Sequence, residues 1–308
     1  MNRIMLRAAA VGTAMMLTAA GCENDTIYVT VDKEKPVPVF NGINKDLQDY
    51  LAAPVPLKLS VDLSEQETSI ESLFAALTAA DKYVDLDLSG CTGLTEWGAY
   101  TDAGKVVSLV LPDTVTKIAE SPFSAPTFAS FASLETLTAK GVKTVGDYAF
   151  YRHAALTSIS MPSVTAIEAG AFQNCAALAS VSLPAAETIG TGAFRNCPSL
   201  ASINVLSAET IESIAFQNCT ALETANLPAA TTIGVNAFGN CTLLASVNLP
   251  VATTIGDLAF GYTALASVSL PAATTIGNSA FRSCTSLASI SLPLLRPARL
   301  TPAPRLHR

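Results

Sequence analysis

The chain has 308 residues and a net charge of −7, and half of its residues are hydrophobic while only 14% are charged. An acidic chain with no basic stripe outside its C-terminal tail argues against a nucleic-acid-binding protein, because a phosphate-binding face needs clustered lysine and arginine. The small share of charged residues predicts a large buried core and weak electrostatic steering of partners.

The first residues have the pattern of an export signal. Arg3 and Arg7 precede an apolar run over residues 8–20, which is too short for a convincing membrane span. The run ends in Ala-Ala-Gly-Cys, which resembles the lipobox of bacterial lipoproteins with alanine in place of the usual leucine. We expect residues 1–22 to be a signal peptide and Cys22 to be the lipidated residue. Secretion without a lipid anchor is one alternative, and a chance resemblance to an export signal is the other.

Two segments follow the signal. Residues 23–56 are polar and then rich in valine and proline, which is typical of an extended tether. Residues 57–105 are expected to form an N-terminal cap with the first strand. A capping box begins at Ser64, and an apolar stripe at helical spacing predicts an amphipathic helix over residues 65–80. The stripe consists of Ile70, Leu73, Phe74 and Leu77.

Residues 106–293 repeat a 22-residue unit, L-x-S-V-x-L-P-A-A-x-T-I-G-x-x-A-F-x-N-C-x-x, with one 21-residue step near the end. A fixed period in the twenties is typical of a solenoid, in which each unit is one coil stacked on its neighbours. The phenylalanines show the period most clearly: Phe150, Phe172, Phe194, Phe216, Phe238, Phe260 and Phe281.

Each unit predicts one short parallel strand. In Leu178–Pro184 apolar and small polar residues alternate, so one side of the strand faces the core. Pro184 ends the strand because it has no amide donor. A mostly β and loop solenoid is therefore predicted, with a ring in the middle of each coil that both neighbouring coils cover.

The chain contains seven cysteines, which suggest either metal binding or disulfides. Cys175, Cys197, Cys219 and Cys241 recur once per unit, and His153, Tyr262 and Cys284 are assigned to the same slot in other units. A zinc site needs four converging ligands, and a column of residues along a solenoid does not converge. We expect a structural ladder of buried thiols and no metal, with one or two disulfides as the alternative.

An enzyme is not expected. The chain has two histidines, His153 in the ladder and His307 near the C-terminus, and no nucleophile with a base beside it. Carboxylates such as Glu187 and Glu209 fall on different coils, so no acid/base pair is predicted. We therefore expect no catalytic residues and no cofactor.

The last segment, residues 294–308, leaves the repeat within a unit. It is rich in proline and contains four arginines. One interpretation is a disordered basic tail. The favoured one is a shift of reading frame, because Leu294-Leu295 stands where Ala-Ala is expected.

The pattern L-P-x-x-x-x-I-G-x-x-A-F-x-x-C resembles the BspA-like leucine-rich repeats of bacterial surface proteins, over about residues 83–293. Two units depart from it. The unit with Phe123 has about five extra residues before Leu134, and the Phe260 unit is one residue short, with Tyr262 in place of Asn-Cys. The resemblance implies a protein of the bacterial outer membrane or cell surface that binds a protein ligand, such as a host matrix or cell-surface protein, and mediates adhesion.

The expected ligand-facing residues lie on the outward side of the strands: Ser180, Ser182, Ser202, Asn204, Thr224, Asn226, Ser246, Asn248, Ser267 and Ser269. Binding through loops or the cap is an alternative, as is a periplasmic or envelope scaffold without a host ligand. A remote alternative is an ice-binding surface, since regular threonine rows can order water. That row comprises Thr144, Thr188, Thr210, Thr232, Thr254 and Thr275, with an interruption at Ala166.

Overall fold

The structure is a computed structural model that describes residues 83–293 without a break, together with helix α1 (Glu67–Ala79) and four strands nearer the N-terminus. These strands are β1 (Ile4–Leu6), β2 (Met15–Ala19), β3 (Thr26–Thr30) and β4 (Leu57–Ser60). They pair in chain order as antiparallel neighbours, and β4 pairs in parallel with the first strand of the solenoid. Cys22 and residues 294–308 lie outside the described residues, so lipidation and the nature of the last segment stay predictions.

Each coil of residues 83–293 contains two short strands, except the last, which has only the first, and strands of successive coils pair in parallel. The first strand of a coil has three to five residues: β5 (Val84–Asp87), β7 (Val106–Val110), β9 (Thr136–Thr138), β11 (Ser158–Ser160), β13 (Ser180–Ser182), β15 (Ser202–Asn204), β17 (Thr224–Asn226), β19 (Ser246–Asn248), β21 (Ser267–Ser269) and β23 (Ser289–Ser291). The second strand has two residues: β6 (Glu96–Trp97), β8 (Lys117–Ile118), β10 (Thr144–Val145), β12 (Ala166–Ile167), β14 (Thr188–Ile189), β16 (Thr210–Ile211), β18 (Thr232–Ile233), β20 (Thr254–Ile255) and β22 (Thr275–Ile276).

The coils stack in the register of the repeat. Ser158 pairs with Ser180 and Thr188 with Thr210, each one full unit apart, whereas Thr254 pairs with Thr275 across the short unit. The column of second strands is continuous from β6 to β22. The column of first strands is continuous to β13 and then continues as two further groups, β15-β17-β19 and β21-β23. The predicted parallel solenoid is confirmed, and the structure adds a second strand to every described coil but the last.

The core is a column of stacked rings. From Phe150 to Phe281, successive centroids lie 4.7 to 5.6 Å apart with interplanar angles of 1° to 11°. The column begins one coil earlier, because Phe128 stacks on Phe150 at 4.0 Å. Phe123 lies outside the column and is 51% exposed. The inserted residues precede Phe128: ten positions separate Ile118 from Phe128, against five from Val145 to Phe150.

Helix α1 packs on the first coils. Ile70, Phe74 and Leu77 are buried, and the Phe74 ring lies 5.3 Å from the ring of Phe131 and 5.8 Å from that of Tyr100. The side chain of Leu73 lies outside the described residues. The helix agrees with the predicted span, and its role as a cap for the solenoid remains a prediction.

In the seven coils from Phe150 to Phe281, the second residue after the core ring has a left-handed backbone conformation. Asn174, Asn196, Asn218 and Asn240 have φ between 58° and 64°. Asparagine tolerates this conformation better than most residues, and each amide after the first also donates to the asparagine of the preceding coil at 2.7 to 3.0 Å. Tyr262 occupies this slot with φ 62°. Its assignment to the cysteine slot is therefore wrong, and Thr263 fills that slot because the missing residue of the short unit comes later.

Candidate functional site

The outward side of β13, β15, β17, β19 and β21, hereafter the outward strand face, carries the predicted ligand-facing residues. Nine of the ten side chains are exposed, and that of Asn226 is half-buried. Their neighbours Ile203 and Ala225 are buried, as the pleat of a strand requires. The structure therefore places all ten on one continuous side of the stacked coils, and whether they bind a ligand remains a prediction.

Amides and hydroxyls provide the chemistry of the outward strand face. Asn226 Nδ2 donates to Asn204 Oδ1 at 2.7 Å, and Asn248 Nδ2 donates to Asn226 Oδ1 at 2.8 Å. A carboxamide has two N–H donors and two acceptor lone pairs, so each amide keeps hydrogen-bonding capacity for a partner. The serine hydroxyls of the face have no hydrogen-bond partner within the described part of the chain. The face can thus form many similar hydrogen bonds.

None of the ten residues is charged, and none has a large side chain. Small neutral side chains give a flat surface, which favours repeated weak contacts over one deep hot spot. Exposed alanines, Ala179, Ala201 and Ala245, lie beside the face and add shallow apolar contact. The arrangement suits binding along several coils and contains no acid/base pair.

The cysteine ladder is part of the core. The thiols of Cys175, Cys197, Cys219 and Cys241 are buried, and each donates to the carbonyl of the phenylalanine 25 residues earlier at 3.1 to 3.2 Å. Burial raises the pKa of the Cys175 thiol to about 12. A contact with Cys219 and burial together raise the pKa of Cys197, and burial raises that of Cys241. These thiols are structural donors.

Other donors occupy the same slot in irregular coils. His153 Nε2 lies 2.7 Å from the Phe131 carbonyl oxygen, and Thr263 Oγ1 donates to the Phe260 carbonyl at 2.9 Å. The six cysteines in the described residues have free thiols, and no cluster of three or more metal-ligating side chains occurs in this part of the chain. The slot therefore accepts an imidazole or a hydroxyl as well as a thiol, provided that the side chain donates to a main-chain carbonyl.

The remaining predicted features lie on other sides of the coil. The threonine row of the second strands is half-buried except at Thr275, and Ala166 pairs between Thr144 and Thr188. Glu187 and Glu209 are exposed on neighbouring coils. Neither group lies on the outward strand face. Among the helices described, none has the length and apolar character needed to cross a membrane.

Solved structures of bacterial repeat proteins resemble this chain. A leucine-rich cell surface protein from Faecalibacterium prausnitzii is 32% identical over 51% of this chain and 47% of its own, with a TM-score of 0.48. A leucine-rich repeat protein from Eubacterium ventriosum is 24% identical over 71% of this chain and 68% of its own, with a TM-score of 0.47. The leucine-rich repeat protein of Treponema pallidum is 22% identical over 59% and 78%, with a TM-score of 0.46.

A comparison with curated proteins gave no match. The sequence pattern described as "BspA type leucine rich repeat region" matches in six copies, over residues 97–223 and 209–295. These ranges include most of the solenoid and more than half of the chain. With its ring column, its thiol slot and its 22-residue register, the chain belongs to the BspA-type leucine-rich-repeat family.

Proposed function

We propose that this protein is exported, is anchored to lipid through Cys22, and binds a protein ligand at the cell surface through its outward strand face, with adhesion to host tissue or to other cells as its role. One observation carries the proposal: ten small polar residues form a continuous side of five stacked coils, nine of them exposed. Solenoids of this kind commonly bind partners along such a sheet.

The first test uses the number of coils. Removing residues 178–221 deletes two whole units and preserves the repeat phase, so a shorter solenoid should fold. Because tandem patches raise apparent affinity through effective concentration, capture of a ligand from host extract should weaken. A single Ser202→Ala change should have little effect. If replacement of residues 23–82 alone abolishes capture, the ligand site lies in the tether or the cap.

The second test blocks the face with large charged side chains. We expect Ser202→Arg combined with Ser246→Arg to weaken ligand capture at least about tenfold, because two bulky cations interrupt the flat surface. The matched control places the same two changes in exposed turns, Thr220→Arg with Thr242→Arg. Equal losses in both double variants, or a loss in the control alone, contradict a site on the outward strand face.

Anchoring and display require separate measurements. Cys22→Ala should leave the precursor uncleaved and should abolish labelling with a radioactive fatty acid. Protease treatment of intact cells should remove the solenoid from the surface. If the protein is degraded only after the outer membrane is permeabilised, the periplasmic scaffold replaces the adhesin as the function.

A further inference from the structure

The column of first strands is interrupted at two places. β13 does not pair with β15, and β19 does not pair with β21, so the first strands fall into a group that ends at β13, a middle group of β15, β17 and β19, and a last group of β21 and β23. The two interruptions are hereafter the first break and the second break. The outward strand face runs across both breaks, because its ten residues come from all three groups.

The other sides of the coils stay joined at each break. At the first break β14 pairs with β16, and the Phe194 N–H donates to the Ala215 carbonyl at 2.8 Å. At the second break β20 pairs with β22, and the Phe260 N–H donates to the Ala280 carbonyl at 2.8 Å. The coils therefore separate only along the outward strand face.

The main-chain bonds that leave the first strands are missing at the breaks. In the middle group the Leu227 N–H donates to the Asn248 carbonyl at 3.2 Å. Leu183 and Leu249 hold the same position at the first and the second break, and neither amide has a main-chain acceptor among the residues that the structure describes. Each break thus lacks a bond that the repeat forms elsewhere.

The bonds that enter the first strands differ in the same way. The Ala245 N–H donates to the Glu223 carbonyl at 3.0 Å in the middle group. At the first break the equivalent bond, from Ala201 to Ala179, is 3.5 Å long, and at the second break the Ala266 amide has no main-chain acceptor in the described part of the chain. A bond of 3.5 Å lies beyond the usual range for N–H···O contacts and is weak.

The inward side chains next to the breaks are less covered than the others. Val181 in β13 and Val247 in β19 are half-buried, and each belongs to the strand immediately before a break. The inward residues of β15, β17 and β21, which are Ile203, Ala225 and Val268, are buried. Apolar groups without close neighbours on one side lose dispersion contacts, so packing across each break is weaker than packing within a group.

Each break precedes a strand whose entry turn departs from the repeat. The turn before β15 contains Pro198, where the other units have alanine or threonine after the slot residue. Proline fixes its own φ and so restricts the path of the turn. The turn before β21 is one residue short, with two positions from Thr263 to Leu265 against three from Cys241 to Leu244. Both departures change where the following strand begins relative to the coil before it.

A ladder of side-chain amides joins the strands of the middle group and ends at both breaks. Asn204, Asn226 and Asn248 lie on β15, β17 and β19, and their amides bond in series at 2.7 and 2.8 Å. The equivalent residues across the breaks are Ser182 and Ser269, whose shorter side chains form no hydrogen bond in the described part of the chain. The middle group is therefore bonded internally but not to its neighbours along this face.

We propose that the two breaks are hinges set by the entry turns, at which the solenoid bends about its column of second strands and the outward strand face moves as three blocks. Separating β17 from β19 breaks strand hydrogen bonds and an amide bond, whereas separating β13 from β15 breaks at most one long bond. Bending is therefore concentrated where strand bonds are already absent. The face can follow a curved surface while every coil stays folded.

The first test measures bending by electron paramagnetic resonance with pairs of nitroxide labels on the full-length protein. Ser180→Cys with Thr224→Cys spans the first break, and Ser202→Cys with Ser246→Cys is the matched pair within the middle group. Both pairs are made in a Cys284→Ser background, because this thiol is only half-buried. Each pair lies two coils apart, roughly 10 Å. We expect the distance distribution across the break to be at least about twofold wider than that of the matched pair.

The second test repairs the entry turns. Pro198→Thr gives the turn before β15 the residue of other coils, and it should narrow the distribution across the first break to that of the matched pair. Insertion of a leucine after Ala264 restores a 22-residue unit at the second break. The insertion should slow hydrogen exchange of the Leu249 amide at least about tenfold and leave the first break unchanged. Circular dichroism and thermal unfolding verify that each variant folds.

Either of two results overturns the proposal. One is an equal width of the two distance distributions in the protein with unaltered turns. The other is an equal effect of Pro198→Thr and of the leucine insertion on the label pair across the first break, since the entry turn would then not set the hinge. Neither test contains a ligand, so the hinges and the proposed binding function succeed or fail separately.

Discussion

The cysteine slot shows how one position in the coil can accept very different residues. Cys219, His153 and Thr263 differ in size and acidity, yet each presents a hydrogen to a backbone carbonyl inside the coil. A buried donor without an acceptor costs free energy, and in these coils the slot residue finds its acceptor in a main-chain carbonyl. The ring slot differs, because only a large flat side chain can fill the centre of the coil and contact both neighbours.

We expect the ring to matter more than the thiol. Phe216→Ala removes a ring stacked on two others at 5.3 and 5.2 Å and should lower the free energy of unfolding by roughly 3–5 kcal/mol. Cys219→Ala removes one hydrogen bond and should cost about 1 kcal/mol. Denaturant titration measures both changes. Equal or reversed losses would show that the ring column does not carry the core.

The ladder also predicts how stability depends on pH. Folding raises the pKa of Cys175 from 9.0 to about 12, so the protonated thiol is favoured in the folded state. The stabilisation from this group is complete below about pH 9 and is lost as the pH rises towards 12. When the pH is raised from 8 to 10.5, the denaturant concentration at the unfolding midpoint should therefore decrease less in Cys175→Ala than in the unaltered protein. An identical fall in both proteins would contradict this assignment.

At the scale of the element, close stacking of coils explains the glycine that follows the second strand. A Cβ on Gly234 would lie 2.5 Å from the Ser213 nitrogen and 2.6 Å from the Glu212 carbonyl carbon, so the backbones would have to separate. Gly234→Ala should lower the free energy of unfolding by about 1–3 kcal/mol. Gly98 has nothing within 4 Å of its added Cβ, so Gly98→Ala is the control and should change stability by less than about 1 kcal/mol. A similar loss in both variants would refute the stacking explanation.

At the scale of the whole molecule, the burial of the inward-facing side chains decreases towards the last described coil. Ile255 is fully buried, whereas Ile276 and Ile290 are each 40% exposed and Leu292 is 51% exposed. Because each coil contacts only its neighbours, a terminal coil is stabilised from one side. Backbone amides of β23 should exchange with deuterated water much faster than those of β17 in a native-state exchange experiment. Equal protection of both strands would mean that another part of the chain covers this end.

Much of the solenoid could be predicted because the repeat specifies its own register. Equivalent positions of successive coils stack in line, so the period located the first strand of the coils, the ring column from Phe150 to Phe281 and the outward strand face. The second strands were not predicted, since two residues such as Thr188–Ile189 are too few to show an alternation. The predicted assignment of Tyr262 to the cysteine slot was wrong, because the single missing residue of that unit can be placed at several points in the sequence.

The coil with the insertion contains features that the sequence did not predict. The period alone places a ring at Phe128, one full unit before Phe150, but the inserted residues contain a second phenylalanine, Phe123, so the sequence offers two candidates for the ring of this coil. A depression of about 510 Å³ beside the insertion brings together residues from two coils, Phe123 and Pro126 from one and Arg152 and His153 from the next. No spacing rule along the chain predicts this grouping, because it depends on how the inserted loop folds over its neighbour.

By itself, the sequence determined the solenoid, the direction of its strands and the chemistry of its repeated face, because these follow from a period that every coil obeys. Only the tertiary structure decided which ring begins the column, which groups donate to the core carbonyls and where the column of first strands is interrupted. Those features arise where a coil departs from the repeat. There the outcome depends on side-chain packing between two particular coils and not on the pattern that they share with the others.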